Sequence, residues 1–279
     1  MAIKATTTTD AGGGHLFAVR LLEKFIQFIK TVMTGNLLDF SIKWLTKIGH
    51  IALIVAAGVG FFFFVIAGIR VQGAGIFVLY AFGWVIGVFV VQYTAYRFSN
   101  AGDDLIANNS TQMSSKAFLD CFGFIAMLAG VVLFFFYIYM AIKVGSLQAF
   151  LMGLGLLIFC EFVALIAFNA GTVTMEVVKE TSAGQEAIGI ATFFMKTLLR
   201  LVPIAFGIGI VVFTIMMFIH SFGLFSAAKM NRALFNGVGD ATFIVYFGFL
   251  PLISYLVFIL FFLVVDVIRS ILAIPGRIK

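Results

Sequence analysis

Residues 121–142 read CFGFIAMLAGVVLFFFYIYMAI, beginning just past Asp120 and ending just before Lys143, and Val131–Ala141 within them leaves no polar stripe at helical spacing. A helix with one wet side shows polar residues every 3.6 positions, and a membrane-barrel strand alternates polar and apolar residues; this run does neither. Its length suits the roughly 20 residues a helix needs to cross a hydrocarbon layer of about 30 Å. The stretches Ile51–Ile69, Gly73–Tyr96, Leu147–Phe168, Leu201–Ile219 and Ala241–Val265 have the same character. The sequence therefore predicts an all-α integral membrane protein with six transmembrane helices.

Composition points the same way. Of 279 residues, 63% are hydrophobic and 11% charged, whereas soluble domains carry about 25% charged residues. Three prolines exclude a Pro-rich linker protein. The two cysteines, Cys121 and Cys160, lie inside apolar runs and cannot build a disulfide framework or a CxxC-type metal site. His15, His50 and His220 are scattered without ligand spacing, so neither metal nor cofactor is expected.

Basic residues set the expected orientation. With six spans both termini share a side, which then holds Lys4, Arg20, Lys24, Lys30, Lys43, Lys47, Arg97, Lys116, Lys179, Lys196, Arg200, Arg269, Arg277 and Lys279. The other side holds only Arg70, Lys143, Lys229 and Arg232. The positive-inside rule puts both termini in the cytoplasm, in a bacterial inner membrane or another membrane entered without a cleaved signal. The formal charge of +6 reads as attraction to anionic headgroups rather than to nucleic acid.

The spans are expected to pair as three hairpins, about 51–96, 121–168 and 201–265. In the first, Phe61-Phe62-Phe63-Phe64-Val65 leads to Arg70; in the second, Phe134-Phe135-Phe136-Tyr137-Ile138 leads to Lys143, 73 positions on for both features (61 to 134, 70 to 143). This has the look of a duplicated hairpin. In the third, His220 takes the basic position, and the turn is expanded by Ser221–Asp240. Repeats of two spans keep one orientation, unlike the inverted repeats of many secondary transporters.

Ahead of the spans, Met1–Gly14 is a polar, flexible tail, with no apolar core that would make it a signal peptide. Residues 15–49 are read as amphipathic membrane-surface helices, with docking of the first in a groove of a partner or of the protein's own bundle as the alternative. Between Leu16 and Met33, Ala18, Leu21, Leu22, Phe25, Ile29, Val32 and Met33 share a face opposite Arg20, Glu23, Lys24, Gln27, Lys30 and Thr31. A second such stretch, Leu37–Ile48, follows a break at Asn36, and 50–279 form the transmembrane domain.

Few residues are candidates for chemistry. Glu161 is the one acid well inside a span, with Gln92 the other polar candidate; such groups face the bundle, pair or stay protonated. Tyr80, Gln92, Tyr93 or Tyr96 could tie Glu161 to the neighbouring helix. Arg70, Lys143 and His220 would form an outer ring able to hold a lipid phosphate or to snorkel. Asp266 and Arg269 are spaced for a local ion pair. Ala56 and Gly60, Gly83 and Gly87, and Ala126 and Gly130 have the small-xxx-small spacing of close helix packing, within one chain or between copies. Asp103, Asp104, Glu176, Glu180 and Glu186 are read as loop acids that keep the loops soluble.

Lys47-Ile48-Gly49 followed by Gly58, Gly60 and Phe61–Phe64 resembles a hairpin of the choline-transporter-like family; the match is short, mostly Gly and Phe, and transfers no functional residue. Two functions are expected from the residues. The first is a non-catalytic polytopic subunit or scaffold that organises lipid, partner subunits or copies of itself. The alternative is a channel or transporter for an ion, lipid or other apolar molecule, built on Glu161. An enzyme comes last, because no catalytic pair is visible.

Overall fold

The computed structural model describes residues 17–70 and 74–273. The polar tail Met1–Gly14, the turn after Arg70 and the last residues, with Lys4, Arg277 and Lys279, lie outside them. The described residues are mostly helical, with two short strands among them: α1 (Phe17–Val32), α2 (Gly35–Arg70), α3 (Ala74–Asn108), β1 (Thr111–Met113), α4 (Lys116–Val144), α5 (Leu147–Phe168), β2 (Met175–Val177), α6 (Ala183–Gly223) and α7 (Met230–Ala273). Six of the helices, α2 to α7, are long and apolar enough to cross a membrane.

Local chemistry sets the helix ends. The Ser115 hydroxyl accepts from the Phe118 amide and starts α4, and Ser146 does the same for α5 through Ala149. Between them Gly145 sits at φ +65°, where a side chain would be strained, and closes α4. Ser182 and Gln185 cap each other's backbone at the start of α6.

Three sequential helix pairs, α2–α3, α4–α5 and α6–α7, are in contact. On α2 and α3, Phe61 meets Phe82, and the Trp84 indole donates to the Ala56 carbonyl at 2.9 Å. A Cβ on Gly130 of α4 would lie 2.7 Å from Cys160 Cβ of α5. Phe213 of α6 stacks on Phe243 of α7, with ring centroids 4.6 Å apart.

Four helices, α2, α3, α6 and α7, enclose one apolar core around Leu53, Phe63, Val91, Phe206, Ile210 and Ile244. A second core, built on Leu38, Ile42, Met113, Ile166, Phe193 and Ile204, gathers the ends of the helices with both strands. This is the basic end of the bundle, where Lys43, Lys47, Lys196 and Arg200 stand. The pair α4–α5 enters mainly through that second core, and its far half leaves Val132, Phe135, Phe136 and Tyr139 exposed. The repeated Phe motif is therefore not equivalent in its two settings: Phe63 is buried at the centre, whereas Phe136 is open.

The helices outrun the apolar spans. At 1.5 Å per residue, the 36 residues of α2 extend about 54 Å, well beyond a hydrocarbon layer of about 30 Å. Two expected boundaries change accordingly. Residues 37–48 are not a separate surface helix: α2 runs through Asn36 and position 49 without a break, the chain turning at Thr34 instead, and Leu38 and Ile42 are buried in the second core. The expanded turn Ser221–Asp240 is mostly helix, since α6 continues to Gly223 and α7 begins at Met230. Hydropathy marks the solvent of a segment, not where its helix stops.

Candidate functional site

The polar chemistry is concentrated at the basic end, where three constellations pin the helix extensions. In the first, β1 and β2 pair in parallel with Thr111 opposite Met175, and β1 lies on α6 at Gly189, where a Cβ would come 2.6 Å from the Gln112 carbonyl. Lys196, on the next turns of α6, is fully buried. Its ammonium donates to the Asn109 carbonyl, to the Thr174 carbonyl at 3.2 Å and to the Thr174 hydroxyl at 3.0 Å. Thr174 holds φ +50°, a conformation costly for a β-branched residue, and its hydroxyl donates to the Ile106 carbonyl at 2.5 Å.

Second, the Glu186 carboxylate accepts from the Ser114 amide at 2.6 Å, the Ser115 amide at 2.9 Å, the Ser114 hydroxyl at 2.8 Å and the Thr181 hydroxyl at 2.7 Å. The Ser114 amide bond, foremost among these, holds its pKa down at about 2. A depressed acid adds stability that is complete above its ordinary value of 4.5 and lost as pH falls through about 2. Limited pepsin digestion in detergent should accordingly cut the 109–115 segment increasingly over that range. In Glu186→Gln the same segment should be cut already at the upper end, at a cost of about 1–2 kcal/mol after allowing for the water that reaches this site.

Third, Arg200 of α6 bridges Asp39 of α2 at 2.5 Å and Asp103 of α3 at 2.7 Å. Lys30 of α1 bridges Asp120 of α4 at 2.5 Å, and the Asn169 side-chain amide donates to the Met33 carbonyl at 2.8 Å, so the C-terminal end of α1 is moored to the bundle. Asp103 and Glu186 thus do more than keep loops soluble. Asp266 and Arg269 do not close their expected pair; Arg269 lines a polar recess with Ser110, Gln112 and Gln185.

Beside the Arg200 bridge, a groove of about 520 Å³ runs between α2 and α3. Lys43, Lys47, His50, Ile51 and Ile54 form one wall, Tyr96, Ser99, Asn100 and Asp103 the other, and Pro203 of α6 lies beneath. The His50 ring packs between Tyr96 and Phe206, with centroids 6.1 and 5.1 Å away.

At the opposite end, the residues expected to form a ring are each engaged separately. Arg70 donates to the Phe225 carbonyl at 3.3 Å and lies over that ring. His220 Nδ1 sits 2.6 Å from the buried Asp240 carboxylate, and Asn236 lies 3.4 Å from its Nε2. Lys143 is exposed and lies over Tyr139.

Glu161 is half-buried on α5 and makes no hydrogen bond or ion pair among the described residues; α5 packs chiefly on α4, so it is not tied to Tyr80, Gln92, Tyr93 or Tyr96 on α3. Gln92 is half-buried too. Of the small-residue pairs, Ala56 and Gly60 seat Trp84, and Gly130 seats Cys160, with Ala126 half-buried one turn earlier. At Gly83 and Gly87 an added Cβ would meet nothing within 4 Å among the described residues. Among the described residues no three metal-capable side chains cluster, and both cysteines are free thiols.

Lys196 escaped the reading by composition, yet it stands on the stripe Gly189, Thr192, Phe193, Lys196, Leu199, Pro203, whose 3–4 spacing marks the buried face of α6. The Arg200 and Lys30 bridges join residues far apart in the chain and leave no local signal. Compared with known proteins, the chain matches no family model, no curated protein and no solved structure.

Proposed function

We propose that this protein is a non-catalytic polytopic membrane subunit that organises lipid and partner subunits. In this reading its helices form three transmembrane hairpins with both termini cytoplasmic, and α1 lies in the headgroup plane. The observation that carries the proposal is the dry centre: Leu53, Phe63, Val91, Phe206, Ile210 and Ile244 fill the space between α2, α3, α6 and α7. A water-soluble substrate would need a polar path there, because unsatisfied polar groups in hydrocarbon are costly. Two features support the rest. The far half of α4–α5 and the Gly83–Gly87 face are open to lipid or to another subunit. On α1, Leu21, Phe25, Phe28 and Val32 make an exposed apolar stripe beside the moored end of the helix.

The test compares two variants in membranes. Glu161→Gln should leave the particle seen by native mass spectrometry after mild-detergent extraction unchanged. Deletion of Leu16–Met33 should strip partners from it or release the chain from its membrane position. Reversal of that order, with Glu161→Gln abolishing flux of a small molecule and the deletion harmless, would overturn the proposal in favour of permeation.

A further inference from the structure

We propose that the groove between α2 and α3 at the basic end binds one anionic phospholipid, its phosphate held by Lys43 and Lys47 and an acyl chain lying along Ile51 and Ile54. This rests on the membrane reading above and gives the organised lipid a definite place on the chain.

The order of residues along the groove is the order of groups along a phospholipid. Lys43 and Lys47 come first, one turn apart on α2, then His50, then Ile51 and Ile54. The apolar span of α2 begins at Ile51, so Lys47 and Lys43 stand about 6 and 12 Å outside it at 1.5 Å per residue. The headgroup layer on each side of the hydrocarbon is about 5–8 Å thick, which puts one ammonium within it and the other at its outer edge, in reach of a phosphate. Ile51, Ile54 and Tyr96 are all more than half exposed, so the far end of the groove opens sideways into hydrocarbon, where a soluble anion has nothing to gain.

The charges are available. Asp39 and Asp103 both bridge Arg200, and with Lys43 and Lys47 the cluster carries three positive charges against two negative ones. Lys43 makes no ion pair among the described residues, and Lys47 only lies over the Trp44 ring, 5.8 Å from its centroid. On the facing wall the exposed Asn100 side chain lines the groove beside Ser99 and offers a polar amide where the glycerol oxygens of a lipid would lie.

The full chain, purified in mild detergent and delipidated, is titrated with phosphatidylglycerol or with phosphatidylcholine of the same acyl chains, and bound lipid is counted by native mass spectrometry. One phosphatidylglycerol per chain should be retained in preference. The double variant Lys43→Gln/Lys47→Gln should weaken that retention about 30-fold, at about 1 kcal/mol for each basic residue near a headgroup. Lys229→Gln/Arg232→Gln, which removes equal charge from exposed positions at the other end, should not. Ile54→Trp, which blocks the acyl wall and keeps both lysines, should also weaken retention and covers any misfolding of the charge variant.

Equal retention of the two lipids, or undiminished phosphatidylglycerol binding in Lys43→Gln/Lys47→Gln, would overturn the site. So would displacement by inorganic phosphate as effective as by competing lipid, which would make it a free-anion site. Co-purifying partners are scored on the same samples. Loss of lipid preference with partners kept defeats this site alone, whereas a partnerless chain that keeps its phosphatidylglycerol defeats the subunit reading and leaves the site standing.

Discussion

Lys196→Met should lower the stability of the folded chain by about 3 kcal/mol and free the loops at the basic end. The variant keeps the volume and the apolar stem but removes a fully buried ammonium that donates to two backbone carbonyls and one hydroxyl. Each buried carbonyl left without a donor costs about 1–3 kcal/mol, while release from burying the ammonium returns part of that, so a net loss of about 3 kcal/mol is the balance. The Thr174 hydroxyl lies within reach of both the Ile106 and Asn109 carbonyls but has one proton, so it cannot satisfy both once the lysine is gone. Nor is there reason for Thr174 to keep φ +50° when the contacts that over-determine it are lost.

The measurement is thermal loss of the monodisperse species in mild detergent, read beside proteolytic nicking within 109–115 and 169–182. Thr174→Val, which removes the hydroxyl alone, should show a smaller loss. The double variant should fall well short of the sum, because the two side chains act in one network. Additive losses, or a Lys196→Met chain as stable as the parent, would mean that α6 does not hold these loops through the lysine.

What was legible in the sequence was whatever depends on one segment at a time. Val131–Ala141 has no polar stripe, and the length of such runs announces spanning helices without reference to the rest of the chain. The polar chemistry was less legible because it is built between segments. Glu186 reads as one more loop acid until Ser114 and Ser115, some seventy positions earlier, are brought under it. Lys196 could have been singled out, since a lysine on the 3–4 stripe of Phe193 and Pro203 must be buried if that face is. Gly83 and Gly87 have the interval of a packing motif, but an added Cβ there would meet nothing within 4 Å among the described residues, so the interval alone does not say where a partner lies. Gly49 and Gly207, which the spacing rule passed over because they lie on different helices, mark a close approach of α2 to α6: a Cβ on Gly49 would come 2.6 Å from the Phe206 ring and 2.9 Å from Gly207 Cα.

That crossing yields the second large effect, since Gly207→Val should destabilise the chain by about 3 kcal/mol and Gly87→Val by almost nothing. At Gly207 the new Cβ would overlap the Leu45 carbonyl group, with its carbon 2.8 Å away. Leu45 belongs to the backbone of α2 and cannot turn aside as a side chain would, so the helices must part. Overpacking of this kind costs about 1–3 kcal/mol, and a branched residue against backbone belongs at the top of that range. Replacing a helical glycine returns at most about 1 kcal/mol of conformational entropy, too little to offset it. At Gly87 the same substitution meets open space, so there is no clash and only the helical gain remains, which is small for a β-branched residue. Parting α2 from α6 also disturbs the floor of the α2–α3 groove, because Pro203 lies one turn before Gly207. Gly207→Val should therefore lose phosphatidylglycerol retention along with thermal stability in detergent, and Gly87→Val should keep both. Equal melting of the two variants would show that the α2–α6 approach is not what holds the central helices together.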